Sequence, residues 1–182
     1  GKYFLYVSRL EPENNAHLVI EAFEKVLTDM KLAVVGDAPY SRKYISSLKK
    51  TKDERIVFLG GVYGKGYKLL QSGAYVYVHA TEAGGTHPAL VEGMGFGNCV
   101  LYYGVAESVE VVGDAGASFD GKNPDDLRAK IQYLVDTPEE VACYRVKARK
   151  RANKLFSWDR VVDQYLELFH ELIPREEKQG EG

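Results

Sequence analysis

Short, unbroken apolar runs recur along the chain at Tyr3 to Ser8, Lys31 to Gly36, Arg55 to Leu59, Ala74 to Ala80, Asn98 to Tyr103 and Ala117 to Asp120. Longer stretches with helical spacing separate them, and that alternation predicts strands joined by crossover helices. The runs are continuous (FLYV, LAVV, IVFL, YVYV, CVLYY) rather than alternating, so both faces of the sheet must be covered. The prediction is an α/β fold, a doubly wound parallel sheet of about six strands with C-terminal helices.

Helical patterns fall from about Asn15 to Thr28, Ser41 to Lys50, Gly64 to Gln71 and Pro88 to Phe96. In the first, Leu18, Val19, Ala22, Phe23 and Val26 form an apolar stripe between His17, Glu21 and Glu24. After the last strand come three helical segments, Pro124 to Val135, Pro138 to Leu155 and Trp158 to Leu172, with Asn123, Thr137 and Ser157 as N-caps. Residues 1–173 read as one domain, and the polar stretch from Pro174 to Gly182 is expected to be disordered.

Composition narrows the function classes. The 182 residues hold 24 Lys plus Arg against 26 Asp plus Glu, a formal charge of -2, which lacks the cationic excess that nucleic-acid binding needs. The 13 tyrosines are scattered between core and rim and form no stacking platform for single strands. No run approaches the roughly 20 apolar residues of a membrane span, and no signal peptide is visible, so a cytoplasmic protein is expected. Cys99 and Cys143 both sit in apolar surroundings and are too few for a disulfide framework or a four-thiolate zinc site.

In such a sheet, ligands lie outside the carboxyl ends of the strands where the strand order reverses. Two loops there are unusual. SRLEPENN, Ser8 to Asn15, delivers Arg9 from the end of the first strand, and TEAGGTHPALVEG, Thr81 to Gly93, follows the fourth strand and opens a helix at Pro88. Gly84 and Gly85 allow close backbone approach to an anion, and the helix amino end supplies free N–H groups. Glu92, four residues after Pro88, lies on the same face one turn deeper, where a two-oxygen acceptor suits a ribose diol. The G-x-G-x-x-G dinucleotide fingerprint is absent, and Gly36 to Pro39 (GDAP) reads as a turn.

The ordered set SRLEPENN, LAVVGDAP, RIVFLGGVY, HATEAGGTHPALVEGM and VEVVGDAGASFD, from about Tyr3 to Leu172, resembles the C-terminal donor-binding domain of a GT-B glycosyltransferase. The nearest resemblance is to family 4 retaining enzymes of the rhamnosyltransferase-like branch. It implies a nucleoside-diphosphate sugar as donor substrate, no cofactor, no required metal, and an acceptor held by an N-terminal domain that this chain does not contain. Arg9 would contact the diphosphate, together with Asn14 and the cradle of Gly84, Gly85, Thr86 and His87. Leu59, Gly60, Gly61 and Val62 would line the base pocket through backbone groups, and Glu92 would bind ribose. The family's Pro-Glu-Lys-Gly is here Pro12, Glu13, Asn14 and Asn15, so one phosphate charge contact is lost or moved. The first Glu of the family's E-x7-E pair is missing, because Gly84 stands eight positions before Glu92. Either Glu82, ten positions before, reaches the sugar, or Thr86 and His87 replace it. No residue stands out as a catalytic base.

Plainer readings apply elsewhere. His79 reads as a hydrogen-bonded core or rim histidine, His17 and His170 as surface helix positions, and Glu107 and Glu110 as solvated turn residues. The run Arg145 to Lys154 carries six cations and no acid. Lys147, Lys150, Arg151 and Lys154 on one side admit contact with an anionic membrane or lipid-linked acceptor. A solvated face is favoured, with Val146, Ala148, Ala152 and Leu155 packing inward. The alternative to transfer is a stand-alone nucleotide-binding module of the same architecture, since fold does not fix function. A two-domain transferase makes this length fit one half of an enzyme better than a whole one.

Overall fold

A computed structural model describes residues 3–82, 85–121 and 123–173. The predicted tail therefore lies outside the described residues, as does Gly84. Six parallel strands, β1 (Tyr3–Val7), β2 (Lys31–Val35), β3 (Ile56–Gly60), β4 (Val76–His79), β5 (Cys99–Tyr103) and β6 (Gly116–Phe119), are ordered β3-β2-β1-β4-β5-β6. The order reverses between β1 and β4, which pair Phe4 with Val76, Leu5 with Tyr77 and Tyr6 with Val78. The crevice outside their carboxyl ends is where such sheets bind ligands.

The continuous apolar runs are explained by two separate cores. Phe4, Tyr6, Leu32, Val34, Val76, Val78 and Leu101 pack with α1 (Ala16–Glu24), α2 (Arg42–Leu48) and α6 (Pro124–Asp136). The intervening residues Leu5, Ala33, Val35, Tyr77, Val100 and Tyr102 turn to the other face. There they meet α3 (Gly64–Gly73), α4 (Pro88–Gly95), α5 (Ala106–Val112) and α7 (Pro138–Leu155). The last helix, α8 (Trp158–Leu172), buries none of its residues.

Several expectations need correction. Glu107 and Glu110 lie on helix α5, exposed but not in a turn. Three valines in seven residues disguised that helix, although Ser108, Val111 and Val112 bury one face of it. Asn123, Thr137 and Ser157 all stand at the N-caps of their helices, Asn123 and Ser157 accepting there through their side chains, whereas the Thr137 hydroxyl donates back to the Tyr133 carbonyl at 2.6 Å. Cys143 is exposed and Val146 is 70% exposed, whereas His17 is an exposed position of α1 as expected, its Nδ1 2.8 Å from the Tyr44 phenol oxygen.

The basic run on α7 is not simply solvated. Arg145 donates to the Ala74 carbonyl at the end of α3 at 2.8 Å, and Arg149 to Phe96 at the end of α4 at 2.8 Å. Arg151 donates to Val111 and Glu110 at the end of α5, at 2.8 and 2.7 Å, and Lys147 pairs with Asp114 at 3.2 Å. Arg55 does the same for α1, reaching the carbonyls of Phe23, Glu24, Val26 and Thr28 while Asp53 grips its other edge. Cations there satisfy orphan carbonyls and oppose the negative end of the helix dipole.

At the opposite rim, backbone approaches backbone. Gly36, just past β2, has φ +142°, and a Cβ there would land on the Ser8 carbonyl oxygen. Its N–H is held by Gly60 at 2.8 Å. Gly36→Ala should therefore cost about 3 kcal/mol or more, from strain and a backbone collision together. Urea unfolding measures this, and a loss below about 1 kcal/mol would mean that the loop simply moves aside.

Candidate functional site

The loops at the carboxyl ends of β1, β2 and β3 and the start of α4 enclose a cleft of about 220 Å³. Its walls include Ser8 and Arg9 after β1, Gly36 and Asp37 after β2, Val62 after β3, and Ala89 on α4. A larger cleft of about 570 Å³ runs along α7 by Arg145 and Arg149, at the rim where the helices end and the sheet loops do not converge. The smaller cleft is the candidate site because it lies at the switch point.

The loop after β1 is tied to the loop after β4 by side chains. Asn14, 7% exposed, donates from Nδ2 to the Arg9 carbonyl at 2.8 Å and accepts from Thr81 Oγ1 at 3.0 Å. Its own carbonyl accepts from the Tyr6 hydroxyl at 2.6 Å. Asn15 adopts the left-handed conformation, φ 58°, and donates to the Ala80 carbonyl at 2.9 Å. Asparagine tolerates that conformation far better than most residues, so Asn15 serves where the resembled family has Gly. Asn14 thus joins the two loops, its amide committed to Arg9 and Thr81.

Arg9 projects from this clamp with its side chain 73% exposed, Nε 3.4 Å from Glu11 Oε2. The Tyr40 hydroxyl donates to the other Glu11 oxygen at 2.6 Å, linking the loops after β1 and β2. Gly61, Val62 and Tyr63 line the cleft, while Leu59 and Gly60 end β3 beside it. Gly85 and Thr86 are exposed, and so is Glu82, whose N–H donates to the Glu13 carbonyl at 3.2 Å. The Glu82 carboxylate also adds to the upward push that burial gives the Tyr103 phenol.

Glu92 is exposed on α4, and its Oε2 accepts from the Tyr67 hydroxyl at 2.7 Å. Gly93 lets α4 sit this close to β4, since a Cβ there would be 2.7 Å from the buried Tyr77 ring. Tyr67 was not foreseen, and neither were Glu11, Tyr40 or Asn15. Only the Asn-Asn pair carried a local signal, since asparagine is a recurrent left-handed residue.

His87 is the N-cap of α4, and its carbonyl accepts from Leu90 and Val91. Its ring centroid lies 4.8 Å from that of His79, and neither Nε2 has a hydrogen-bond partner. His79, 4% exposed, is therefore buried without the hydrogen bond expected for that nitrogen. Burial first, and the neighbouring His87 second, push its pKa down to about 3. Among the described residues, no group of three or more His, Cys, Asp or Glu is placed to hold a metal ion. No helix there is long and apolar enough to cross a membrane.

Comparison with known proteins adds to this geometry. The family described as glycosyl transferases group 1 matches residues 1–152. O-antigen chain mannosyltransferase B of Escherichia coli is 26% identical over 175 residues, covering 92% of this chain and 45% of that protein. Anabaena Alr3699/HepE in complex with UDP matches with a TM-score of 0.86 and 20% identity, over 93% of this chain and 48% of that one. The catalytic domain of cholesterol-alpha-glucosyltransferase from Helicobacter pylori matches with a TM-score of 0.74 and 22% identity, over 84% of this chain and 98% of that one. These structural likenesses show a shared fold. The chain spans about half the length of the E. coli and Anabaena proteins.

The buried imidazole has a measurable signature. Between about 3 in the folded state and the ordinary 6.5, only unfolded His79 binds the proton, so stability falls as pH drops through that window and is complete above 6.5. The slope from this group is at most about 1.4 kcal/mol per pH unit. His79→Phe should flatten the urea-unfolding profile between pH 7 and 4 by part of that amount. Parallel profiles for the two proteins would show that His79 contributes nothing.

Proposed function

The chain belongs to the group 1 glycosyl transferases, and from that premise we propose that it is the donor-binding half of a GT-B enzyme, holding a nucleoside-diphosphate sugar for transfer to an acceptor on a second domain. The observation that carries this reading is the cleft at the carboxyl ends of β1, β2 and β3, lined by Arg9 and by Ala89 at the amino end of α4, with Glu92 exposed one turn further along that helix. The diphosphate lies against Arg9 and the positive, amino end of α4, the base against Gly61 and Val62, and the ribose diol against Glu92. The similar proteins point the same way, one being named a mannosyltransferase and another holding UDP.

On this reading, catalysis is electrostatic. As the bond from the anomeric carbon to the diphosphate breaks, negative charge grows on the leaving phosphate oxygens. Arg9 and the positive end of the α4 dipole stabilise it. The anomeric configuration is retained and no metal takes part. The second domain closes over the crevice and excludes water.

Helix α8 supports a second domain. Trp158, Val162, Tyr165, Phe169 and Leu172 recur at helical spacing, and all are between 51% and 82% exposed. A stripe of that size asks for a cover, and the proposed second domain would be its occupant.

Calorimetric titration with UDP, GDP, ADP and dTDP tests the donor site. One of them should bind, and Arg9→Ala and Glu92→Ala should each weaken it about tenfold or more, the value of a charge-assisted contact. If none binds the unmutated chain, the donor-site reading fails. If binding survives both substitutions undiminished, the residue assignments fail.

A further inference from the structure

Beneath Glu92 runs a one-way chain of hydrogen bonds that the donor-site reading does not use. Asn98 Nδ2 donates to Gln71 Oε1 at 2.8 Å, Gln71 Nε2 to the Tyr67 hydroxyl oxygen at 2.9 Å, and Tyr67 to Glu92 Oε2 at 2.7 Å. Asn98 and Gln71 are fully buried, one just ahead of β5 and the other on α3. The direction is forced. A carboxylate only accepts, so the single phenolic proton goes to Glu92, the phenolic oxygen accepts from an amide N–H, and each amide is thereby oriented. Burial first, and the Glu92 carboxylate second, push the Tyr67 phenol upward, so it stays protonated as the donor.

This arrangement has a cost. Asn98 Oδ1 is left buried without a partner, a penalty of the kind an apolar contact between α3 and β5 avoids. What it gains is a fixed carboxylate at an exposed position, where a free Glu side chain would otherwise sample several rotamers.

We propose that Tyr67 is a positioning residue for Glu92, and that the Asn98–Gln71–Tyr67 chain makes the site selective for ribonucleotides over 2′-deoxyribonucleotides. The proposal rests on the reading of Glu92 as the ribose acceptor. With Oε2 held by Tyr67, Oε1 and the remaining Oε2 lone pair are left to accept from the two ribose hydroxyls. A ligand lacking the 2′-hydroxyl leaves one of those acceptors without its donor, and discrimination follows from that loss.

The test is titration of the chain with UDP, GDP and ADP against their 2′-deoxy counterparts, in the unmutated protein, Tyr67→Phe, Gln71→Met and Glu92→Ala. The nucleotide that binds should prefer the ribo form by about tenfold, and Tyr67→Phe should shrink that ratio several-fold by weakening the ribo form more than the deoxy form. Gln71→Met, which frees the phenol to rotate, should shrink it less, and Tyr67→Phe should add nothing in the Glu92→Ala background. A ratio unaltered by Tyr67→Phe overturns the proposal while leaving the donor site standing. Equal weakening of both nucleotides also overturns it, since that is the mark of a purely structural residue. Absence of binding by every nucleotide overturns the donor-site reading and this proposal with it.

Discussion

A parallel sheet can be wound only if every crossover helix runs back against its strands, and that constraint gives this molecule two unlike rims. The helices α1, α3, α4 and α5 all end at the rim where the strands begin, presenting unpaired carbonyls and the negative ends of their dipoles together. Arg55, Arg145, Arg149 and Arg151 are committed to those carbonyls, three of them from the single helix α7. A capping charge at a helix end contributes about 0.3–2 kcal/mol, so four such contacts are a sizeable share of the stability of a domain this size. The other rim collects the helix amino ends and the strand carboxyl ends, and there the same polarity favours an anion.

The crevice at that rim is made rigid by polar side chains, because loops offer no ladder to satisfy their backbone. Tyr6, Asn14, Asn15 and Thr81 stitch the loop after β1 to the loop after β4. Tyr40 and Glu11 do the same between the loops after β1 and β2. These bonds bridge separate strands, so the backbone at Arg9 and Ala80 and the Thr81 side chain are tied to the sheet. Gly93 sets the height of α4 against Tyr77, and Tyr67 fixes the carboxylate that α4 carries. The site is held from below by groups that need not touch a ligand.

Much of this was legible in the sequence because it rests on local periodicity. Six strands, their parallel sense and the position of the Thr81 to Pro88 loop follow from unbroken apolar runs and a proline at the first helical position. What was illegible depends on partners far along the chain. Arg145 meets Ala74 from 71 residues away and Arg151 meets Val111 from 40, so a run of cations looked like a solvated or membrane-facing surface. Tyr67 meets Glu92 across 25 residues, and Asn98 meets Gln71 across 27. Helix α5 was missed for a different reason. Its valines favour strand locally, and burial of Ser108, Val111 and Val112 overrides that preference.

The charge balance also changes meaning. A formal charge of -2 argues against nucleic acid, yet it says little about a single phosphate group bound at one rim. At the crevice, the exposed Arg9 guanidinium meets Glu11 at 3.4 Å and interacts with the Tyr40 phenol, and a pair with so exposed a cation is worth about 0–1 kcal/mol. A diphosphate offers the same guanidinium two oxygens and a greater charge, so it competes well for Arg9. Glu11 keeps the Tyr40 hydroxyl on its other oxygen when Arg9 turns away, and no carboxylate is stranded. The anion site on this reading therefore draws on one exposed cation and the positive end of α4, while Arg149 of α7 caps the same helix at the far rim.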